Sequence, residues 1–151
     1  MANIRVQSAD FDIGAETATL IAGRTNIGGI ASFIGTVRDT AKARPIQSMT
    51  LEHYPGMTEA AMRRIAEQAQ QRFDLLGITL IHRIGTLAPG ENIVLVLAAS
   101  PHRQAALDAT SFLIDWLKTK APFWKRETFA DGTAAWVEAN EIDSAAADRW
   151  G

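Results

Sequence analysis

Four basic side chains are concentrated around Pro122, where the sequence pattern changes from that of a helix to that of a strand. They are Lys118, Lys120, Lys125 and Arg126. Tryptophan and phenylalanine residues stand beside them in the chain. An amine that lies against an apolar wall is partly desolvated, which lowers its pKa and makes it usable as a nucleophile or a proton carrier. This stretch therefore predicts a binding site for an anion, with lysines available for chemistry.

Lys118 and Lys120 also have a simpler interpretation. Cations in the last turn of a helix are common, because they complement the helix macrodipole. That interpretation is weakened by Lys125 and Arg126, which follow directly in the predicted strand. Both interpretations remain open from these residues alone.

A second basic group opens the long helix that leads to this stretch. Residues 100–103 read Ser-Pro-His-Arg, and serine at the N-cap with proline at the first helical position predicts that the helix starts here. Arg103 and a protonated His102 would put positive charge at the positive end of the dipole, at a cost of a few tenths to about 1 kcal/mol. This unfavourable placement favours a bound anion such as phosphate. Pairing of Arg103 with Glu91 or Glu141 is the alternative.

Two other polar residues stand at informative positions. Arg38 follows a predicted strand and precedes a polar segment, residues 40–45, which we expect to be a mobile loop. Such a position suits ligand binding, although a solvated surface arginine is the alternative. His82 alternates with apolar residues in a predicted strand, and this pattern favours a hydrogen-bonded structural histidine.

Composition limits the classes of function. The 151-residue chain fits one domain over residues 1–151. A net charge of -2 gives no general affinity for nucleic acid or anionic membranes, and no apolar run is long enough for a membrane span. We therefore expect a cytoplasmic protein. Because the chain has no cysteine, and no two of its three histidines have a metal-ligand spacing, we expect neither thiolate chemistry nor a metal site.

The elements around Pro122 follow from the spacing of apolar residues. Apolar positions recur every three or four residues up to residue 120, which predicts a helix that the proline ends. Residues 123–130 and 133–138 predict a β-hairpin that turns at Asp131 and Gly132. The chain therefore turns a corner between the helix and the hairpin, and Lys118 and Lys125 could converge on one side of this corner.

The rest of the chain alternates between strands and helices. Strands are predicted at residues 4–6, 27–35, 46–52, 78–84 and 93–99, the last of them central because it is almost continuously apolar. Helices are predicted at residues 13–22 and 143–150, and a further helix is predicted to be capped by Thr58 and closed by Gly77. The pattern indicates an α+β domain.

Five motifs together closely resemble the family of large, catalytic subunits of molybdopterin synthase. They are FIGTVR (33–38), LEHYPGM (51–57), IHRIG (81–85), SPHR (100–103) and LKTKAPFWKRE (117–127). Five motifs in the order and spacing of the family are far more specific than any one of them. The resemblance implies an α/β hammerhead-type single domain, with a mostly antiparallel sheet and a C-terminal β-hairpin.

The same resemblance implies partners and a reaction. A homodimer of large subunits would carry a small ubiquitin-like sulfur-carrier subunit at each end, whose C-terminal Gly-Gly thiocarboxylate inserts into a pocket of the large subunit. Sulfur from two such tails would convert cyclic pyranopterin monophosphate (precursor Z) into the dithiolene of molybdopterin, in molybdenum cofactor biosynthesis. No cofactor is expected. The lack of cysteine agrees with this chemistry, because the sulfur arrives on the partner.

The motifs also carry roles over to residues of this chain. Lys118 and Lys125 would be the catalytic lysines, with Lys118 nearest the inserted tail and Lys125 on the substrate side. The expected phosphate and pterin contacts are Arg38, His102 and Arg103, and the expected lining of the same site is Thr36, Val37, Arg126 and Glu127. In the family the pocket draws residues from both large subunits, so dimerisation would complete the active site.

Two other functions are weighed against this one. A noncatalytic module that binds a ubiquitin-like tail would not need Lys125 together with His102 and Arg103. A phosphate-ester enzyme that uses a lysine Schiff base would need no protein partner.

Overall fold

The computed structural model describes residues 2–137 and 141–151, which form two β-sheets with helices packed against them. The elements in chain order are β1 (Ala2–Gln7), α1 (Ile13–Ile21), β2 (Gly29–Thr36), β3 (Thr40–Ala41), β4 (Arg44–His53), α2 (Met57–Arg72), β5 (Gly77–Arg83), β6 (Gly85–Leu87), β7 (Asn92–Ser100), α3 (Arg103–Thr119), β8 (Phe123–Phe129), β9 (Ala134–Val137) and α4 (Glu141–Asp148). None of the helices in these residues is long and apolar enough to span a membrane.

The first sheet has the strand order β1-β5-β7-β2 and carries the main core. β1 lies parallel to β5, whereas β5 and β2 are both antiparallel to β7. Side chains of β7 alternate between two cores, because successive residues of a strand point to opposite faces. Val94 and Val96 pack with residues of α2 and α3, and Leu95 and Leu97 pack on the other face with Phe11. This double burial confirms the prediction that residues 93–99 form a central strand.

The second sheet has the order β3-β4-β8-β9, and β6 also pairs with β4. All of its pairs are antiparallel. β8 and β9 form the predicted hairpin, which turns through Gly132 at a φ of 89°. Residue 138, the predicted end of the second hairpin strand, lies outside the described residues. The two sheets confirm the α+β prediction with mostly antiparallel pairing and a C-terminal β-hairpin.

Residues 40–45 form a second hairpin, so the prediction of a loop there was wrong. Thr40 pairs with Pro45 and Ala41 with Arg44. The chain reverses through two non-glycine residues in the left-handed region, with φ values of 50° and 62° at residues 42 and 43. Such two-residue turns normally use Asn-Gly or Asp-Gly, and Lys-Ala gives no comparable signal in the sequence.

The start of α2 also differs from its prediction. The N-cap is Gly56, whose backbone N–H donates to the Glu59 carboxylate at 2.9 Å. Thr58 lies inside the first turn, where it is fully buried and its hydroxyl donates to the Tyr54 carbonyl at 2.9 Å. The prediction of Thr58 as the cap was therefore wrong. Its hydroxyl bonds a backbone carbonyl that precedes the helix. Ser and Thr side chains form such local bonds to the backbone as well as helix caps.

The end of α2 lies earlier than predicted. The helix ends at Arg72, and Gly77 is the first residue of β5 instead of the residue that closes the helix. A Cβ atom at Gly77 would lie 2.8 Å from the Leu20 side chain. This glycine therefore permits close packing of β5 under α1, and the sequence cannot distinguish that use from a helix-terminating one.

Candidate active site

A cavity of about 210 Å³ lies at the carboxyl-terminal end of α3 and contains both Lys118 and Lys125. Its other charged and polar lining residues are Thr36, Arg38, Thr119, Glu127 and Asp143. Its apolar walls are Ile46, Met49, Ile93, Leu117, Ala121, Phe123 and Val137. The predicted convergence of the two lysines on one side of the corner is thus present in the structure.

The corner itself is set by the end of α3. The helix ends at Thr119, and the backbone N–H of its C-cap, Lys120, donates to the Trp116 carbonyl at 2.8 Å. Pro122 cannot continue the helix, because it has no backbone N–H and its ring restricts the residue before it. β8 begins at the next residue, Phe123. The last helical turn and the first strand residues therefore face the same space.

The pleat of β8 decides which of its residues reach the cavity. Phe123, Lys125 and Glu127 alternate along the strand and line the cavity. Arg126 points to the other face, where its guanidinium lies 5.9 Å from the centre of the Trp136 ring. The structure thus brings Glu127 to the candidate site and does not bring Arg126 to it.

Lys125 is largely enclosed, unlike Lys118. Its neighbours across the sheet are Leu51 on β4 and Val137 on β9. Burial, with the charge of Lys118 acting in the same direction, lowers the pKa of Lys125 from 10.5 to about 8, while the charge of Asp143 opposes the shift. Lys118 is exposed at the rim. The cavity therefore holds one amine with a pKa of about 8 beside a second, more accessible one.

Thr36 and Arg38 reach the cavity from the end of β2. The register of β2 against β7 shifts between Gly35 and Thr36, where the strand leaves the sheet. Val37, between them, is buried with Leu51 and is anchored through its backbone, which accepts a 2.8 Å hydrogen bond from Gly90. Val37 therefore holds its two neighbours at the cavity without lining it.

The amino-terminal end of α3 starts two residues later than predicted. The helix begins at Arg103 with His102 as its N-cap, and the prediction of Ser100 as the cap was wrong. Ser100 ends β7, and its hydroxyl donates to the Asp74 carbonyl at 2.6 Å while accepting from the His102 N–H at 3.1 Å. The hydroxyl thus bonds backbone groups as a cap would, but it does so from the preceding strand.

His102 and Arg103 are both exposed at this end. Arg103 forms no salt bridge with any side chain that the structure describes. Glu91, one suggested partner, lies 3.4 Å from Arg83 instead. The side chain of Glu141, the other one, lies outside the described residues. The basic group at the helix start thus faces solvent.

The two ends of α3 are far apart within one chain. Fifteen residues separate Arg103 from Lys118, which is roughly 22 Å along a helix. One copy of the chain therefore brings together Thr36, Arg38, Lys118, Lys125 and Glu127, and it leaves His102 and Arg103 outside their cavity.

Asp143 is a lining residue that the sequence did not indicate as part of the site. It stands at the predicted start of the last helix, and its charge acts on Lys125 only because α4 packs against α3. No local pattern around residue 143 signals that contact.

A larger cavity of about 490 Å³ lies between α2, α3 and the C-terminus, with Trp116, Lys120 and Trp150 among its lining residues. It contains neither Lys118 nor Lys125, so size does not identify the candidate site. The residues that the structure describes contain no group of three His, Asp or Glu side chains that could hold a metal ion.

Comparison with known proteins gives consistent matches. The sequence model of the MoaE protein family matches residues 6–120. The molybdopterin synthase catalytic subunit of Rhizobium meliloti is 54% identical over 148 residues, which are 97% of this chain and 94% of that protein.

Solved structures match over nearly the whole chain. The molybdopterin biosynthesis MoaE protein from Burkholderia ambifaria superposes with a TM-score of 0.85 at 47% identity, covering 100% of this chain and 99% of that one. A protein-protein complex of subunits 1 and 2 of molybdopterin-converting factor from Helicobacter pylori contains a chain with the same fold, with a TM-score of 0.69 at 20% identity and coverages of 93% and 90%.

Proposed function

Since this chain belongs to the MoaE family, in which its relatives are catalytic subunits of molybdopterin synthase, we propose that it catalyses the sulfur transfer that forms the dithiolene of molybdopterin. The sulfur donor is the C-terminal thiocarboxylate of a small ubiquitin-like subunit, and the acceptor is cyclic pyranopterin monophosphate. The reaction takes place in the cytoplasm and requires no cofactor or metal ion bound to this chain.

One observation carries the proposal: Lys118 and Lys125 line a single cavity and differ in their exposure to water. The exposed amine of Lys118 stands where an extended tail can reach it. A fixed cation at this position stabilises the thiocarboxylate and the negative charge that develops as sulfur leaves it. Lys118 therefore faces the donor side of the reaction.

Lys125 acts on the acceptor side. Because its pKa is about 8, a substantial fraction of its amine is neutral near physiological pH, and the group can both accept and donate a proton. Arg38 and Glu127 lie in the same cavity and orient the pterin substrate. Thr36 lines the same cavity, and the buried Val37 beside it keeps it in place.

His102 and Arg103 bind the phosphate of a substrate held mainly by a second copy of the chain. Within one chain they lie roughly 22 Å from Lys118, since α3 separates them. A homodimer that pairs the start of α3 in one subunit with the end of α3 in the other completes the site. In this arrangement the unfavourable charge at the helix start is balanced by the bound phosphate.

The small subunit docks at each end of such a dimer, which makes a heterotetramer. The complex of two molybdopterin-converting factor subunits in Helicobacter pylori supports a two-subunit assembly for this fold. Arg126 lies outside the cavity of its own chain, beside Trp136. Arg126 could therefore contact a bound substrate only in the site of another subunit.

The test is product formation from cyclic pyranopterin monophosphate by the full chain mixed with a thiocarboxylated small subunit. We expect dithiolene product, and none when the small subunit ends in an ordinary carboxylate. A stable complex without product would favour a noncatalytic binding module. Turnover of the substrate by this chain alone, with a borohydride-trapped adduct on Lys118 or Lys125, would favour the Schiff-base enzyme and contradict the proposal.

A further inference from the structure

Two histidines that have no part in the proposed chemistry meet at one aromatic ring. His53 belongs to the motif at residues 51–57 and His82 to the motif at residues 81–85. The His82 ring stacks on Phe123, with 3.8 Å between ring centres and 16° between planes. His53 lies 6.3 Å from the same ring at an angle of 26°. Phe123 is thus flanked by two imidazoles.

His82 is buried and hydrogen-bonded, as the sequence predicts. It is 2% exposed, and its Nδ1 lies 2.8 Å from the Arg83 carbonyl oxygen. Burial, together with the nearby charges of Lys125, His53 and Lys118, lowers the pKa of His82 to about 3, while the contact with the Arg83 carbonyl opposes the shift. The ring is therefore neutral near pH 7 and presents an uncharged face to Phe123.

Phe123 connects this stack to the candidate site. It is the first residue of β8 and pairs with His53 across the sheet. It stands two residues before Lys125 on the same face of the strand, and both side chains line the cavity. The charged groups that share this cavity with Lys125 are Lys118, Arg38, Glu127 and Asp143. Phe123 is the aromatic side chain of this lining.

We propose that His82 and Phe123 are positioning residues, which fix the first residues of β8 against the core and keep the Lys125 amine in a defined, water-poor place. Neither residue exchanges a proton with substrate. Fixing a reacting group against a rigid aromatic stack limits its motion, and small displacements of such groups reduce rates strongly. The inference rests on the proposed role of Lys125 in the reaction.

The stack also implies that the cavity wall beside Lys125 requires an aromatic ring and not merely an apolar side chain of similar size. Stacked aromatic rings bury a large flat area and have a preferred geometry. A branched aliphatic side chain of similar size leaves gaps beside a ring. Replacement of His82 by Phe should therefore preserve the function of the stack, whereas replacement by Leu should not.

The experiment compares His82→Phe and His82→Leu with the native chain, after thermal melts show that each variant is folded. The first readout is the rate of acetylation of Lys125 in the full chain as a function of pH, measured by peptide mass spectrometry. The second is kcat and KM for product formation with the thiocarboxylated small subunit. The first readout needs no substrate, so it remains interpretable if the proposed reaction is wrong.

We expect His82→Leu to raise the titration midpoint of Lys125 by about one pH unit and to lower kcat about tenfold with little change in KM. His82→Phe should stay close to the native chain in both readouts. A folded His82→Leu variant with native midpoint and kcat would overturn the proposal. Equal losses in His82→Phe and His82→Leu would also overturn it, because an imidazole nitrogen would then be the active group.

Phe123→Leu tests the same contact from its other side if the His82 variants fail to fold. It keeps an apolar residue in the cavity and removes only the ring. The same shift of the Lys125 midpoint is expected. A native midpoint in folded Phe123→Leu would contradict the positioning role of the stack, whatever the outcome at His82.

Discussion

The two ends of α3 carry the same charge in opposite surroundings. At the carboxyl-terminal end, Lys118 and Lys125 share a cavity walled by β2, β4 and β8. At the amino-terminal end, His102 and Arg103 are exposed. Enclosure changes the chemistry of Lys125, since it lowers the pKa of that amine to about 8. Exposure leaves His102 and Arg103 open to solvent, where Arg103 is a cation that can bind an anion.

Each end is unfavourable for stability in its own way. Cations suit the carboxyl-terminal end of a helix, but an enclosed cation such as Lys125 is costly because it is desolvated. Arg103 is solvated, but it stands at the positive end of the dipole. One chain thus gathers Lys118 and Lys125 in a cavity and leaves His102 and Arg103 open to its surroundings.

The largest effect is expected at the enclosed end, from Lys118→Ala. It removes the cation that is proposed to face the sulfur donor, so we expect product formation to fall about 100-fold or more with the fold and partner binding intact. Lys120→Ala is the matched control, because Lys120 lies two residues away but lines the other cavity. Steady-state assays of both variants check this. Equal losses in the two would mean that general charge at the helix end matters, and not the position of Lys118.

Lys125→Met tests the energetic cost of the enclosed amine. The folded state holds its pKa near 8, below the 10.5 of an ordinary lysine, so the folded chain binds fewer protons between these values. The cost is therefore full below about pH 8 and disappears as the pH rises to 10.5. We expect the variant to be more stable by about 2 kcal/mol at pH 7 in urea unfolding, while activity is lost.

Lys118→Met serves as the control for this measurement, since Lys118 is exposed. Its unfolding free energy should change by less than about 0.5 kcal/mol at any pH. A stability gain that is equal in the two variants, or one that persists unchanged above pH 10.5, would contradict burial as the cause.

Arg103→Ala tests the exposed end. Loss of a phosphate contact should raise KM about tenfold with a smaller effect on kcat and no loss of stability. An unchanged KM would rule out the phosphate assignment.

Mixed dimers decide whether the two ends cooperate across subunits. Lys118→Ala and Arg103→Ala chains that exchange subunits would form dimers in which one site carries both changes and the other carries neither. At equal mixing and low substrate concentration, we expect recovery of about one quarter of native activity. No recovery after demonstrated subunit exchange would mean that the ends of α3 do not share a site.

A smaller effect is expected from Gly28→Ala, which disturbs only the exposed end. A Cβ atom at Gly28 would lie 1.8 Å from the Pro101 carbonyl oxygen, so the start of α3 must shift. We expect KM to rise about threefold and the unfolding free energy to fall by about 1 to 2 kcal/mol, with kcat unchanged. Gly14→Ala is the control, because its nearest contact would be an ordinary 3.4 Å. A larger fall in kcat than rise in KM would show that this end contributes to the chemistry itself.

The placement of Lys118 and Lys125 at one corner could be read from the sequence because it is locally encoded. Proline at 122 stops a helix whose last turn contains Lys118, and the alternation that follows places Lys125 and Glu127 on one face of a strand. These rules act within a few residues, so they hold whatever the rest of the chain does.

Other parts could not be read in this way. The turn at Lys42 and Ala43 uses left-handed backbone without glycine, and it is held by the pairing of β3 with β4. Asp143 reaches the cavity only through the packing of α4 on α3. Ser100 and Thr58 make the expected kinds of hydrogen bond from unexpected positions. The contacts of Ser100 and Asp143 join residues that are distant in the chain, whereas the turn at residues 42 and 43 and the hydrogen bond of Thr58 are local but have no distinctive sequence signal.

The sequence by itself thus determined the kind of elements, the charges at both ends of α3 and the family. Only the tertiary structure decided that His82 and His53 meet at Phe123, and that Arg38 and Asp143 share one cavity with the two lysines. The reason is physical. Periodicity and capping are set by neighbours in the chain, whereas stacking, burial and the pKa of an enclosed amine depend on groups that folding brings together from distant positions.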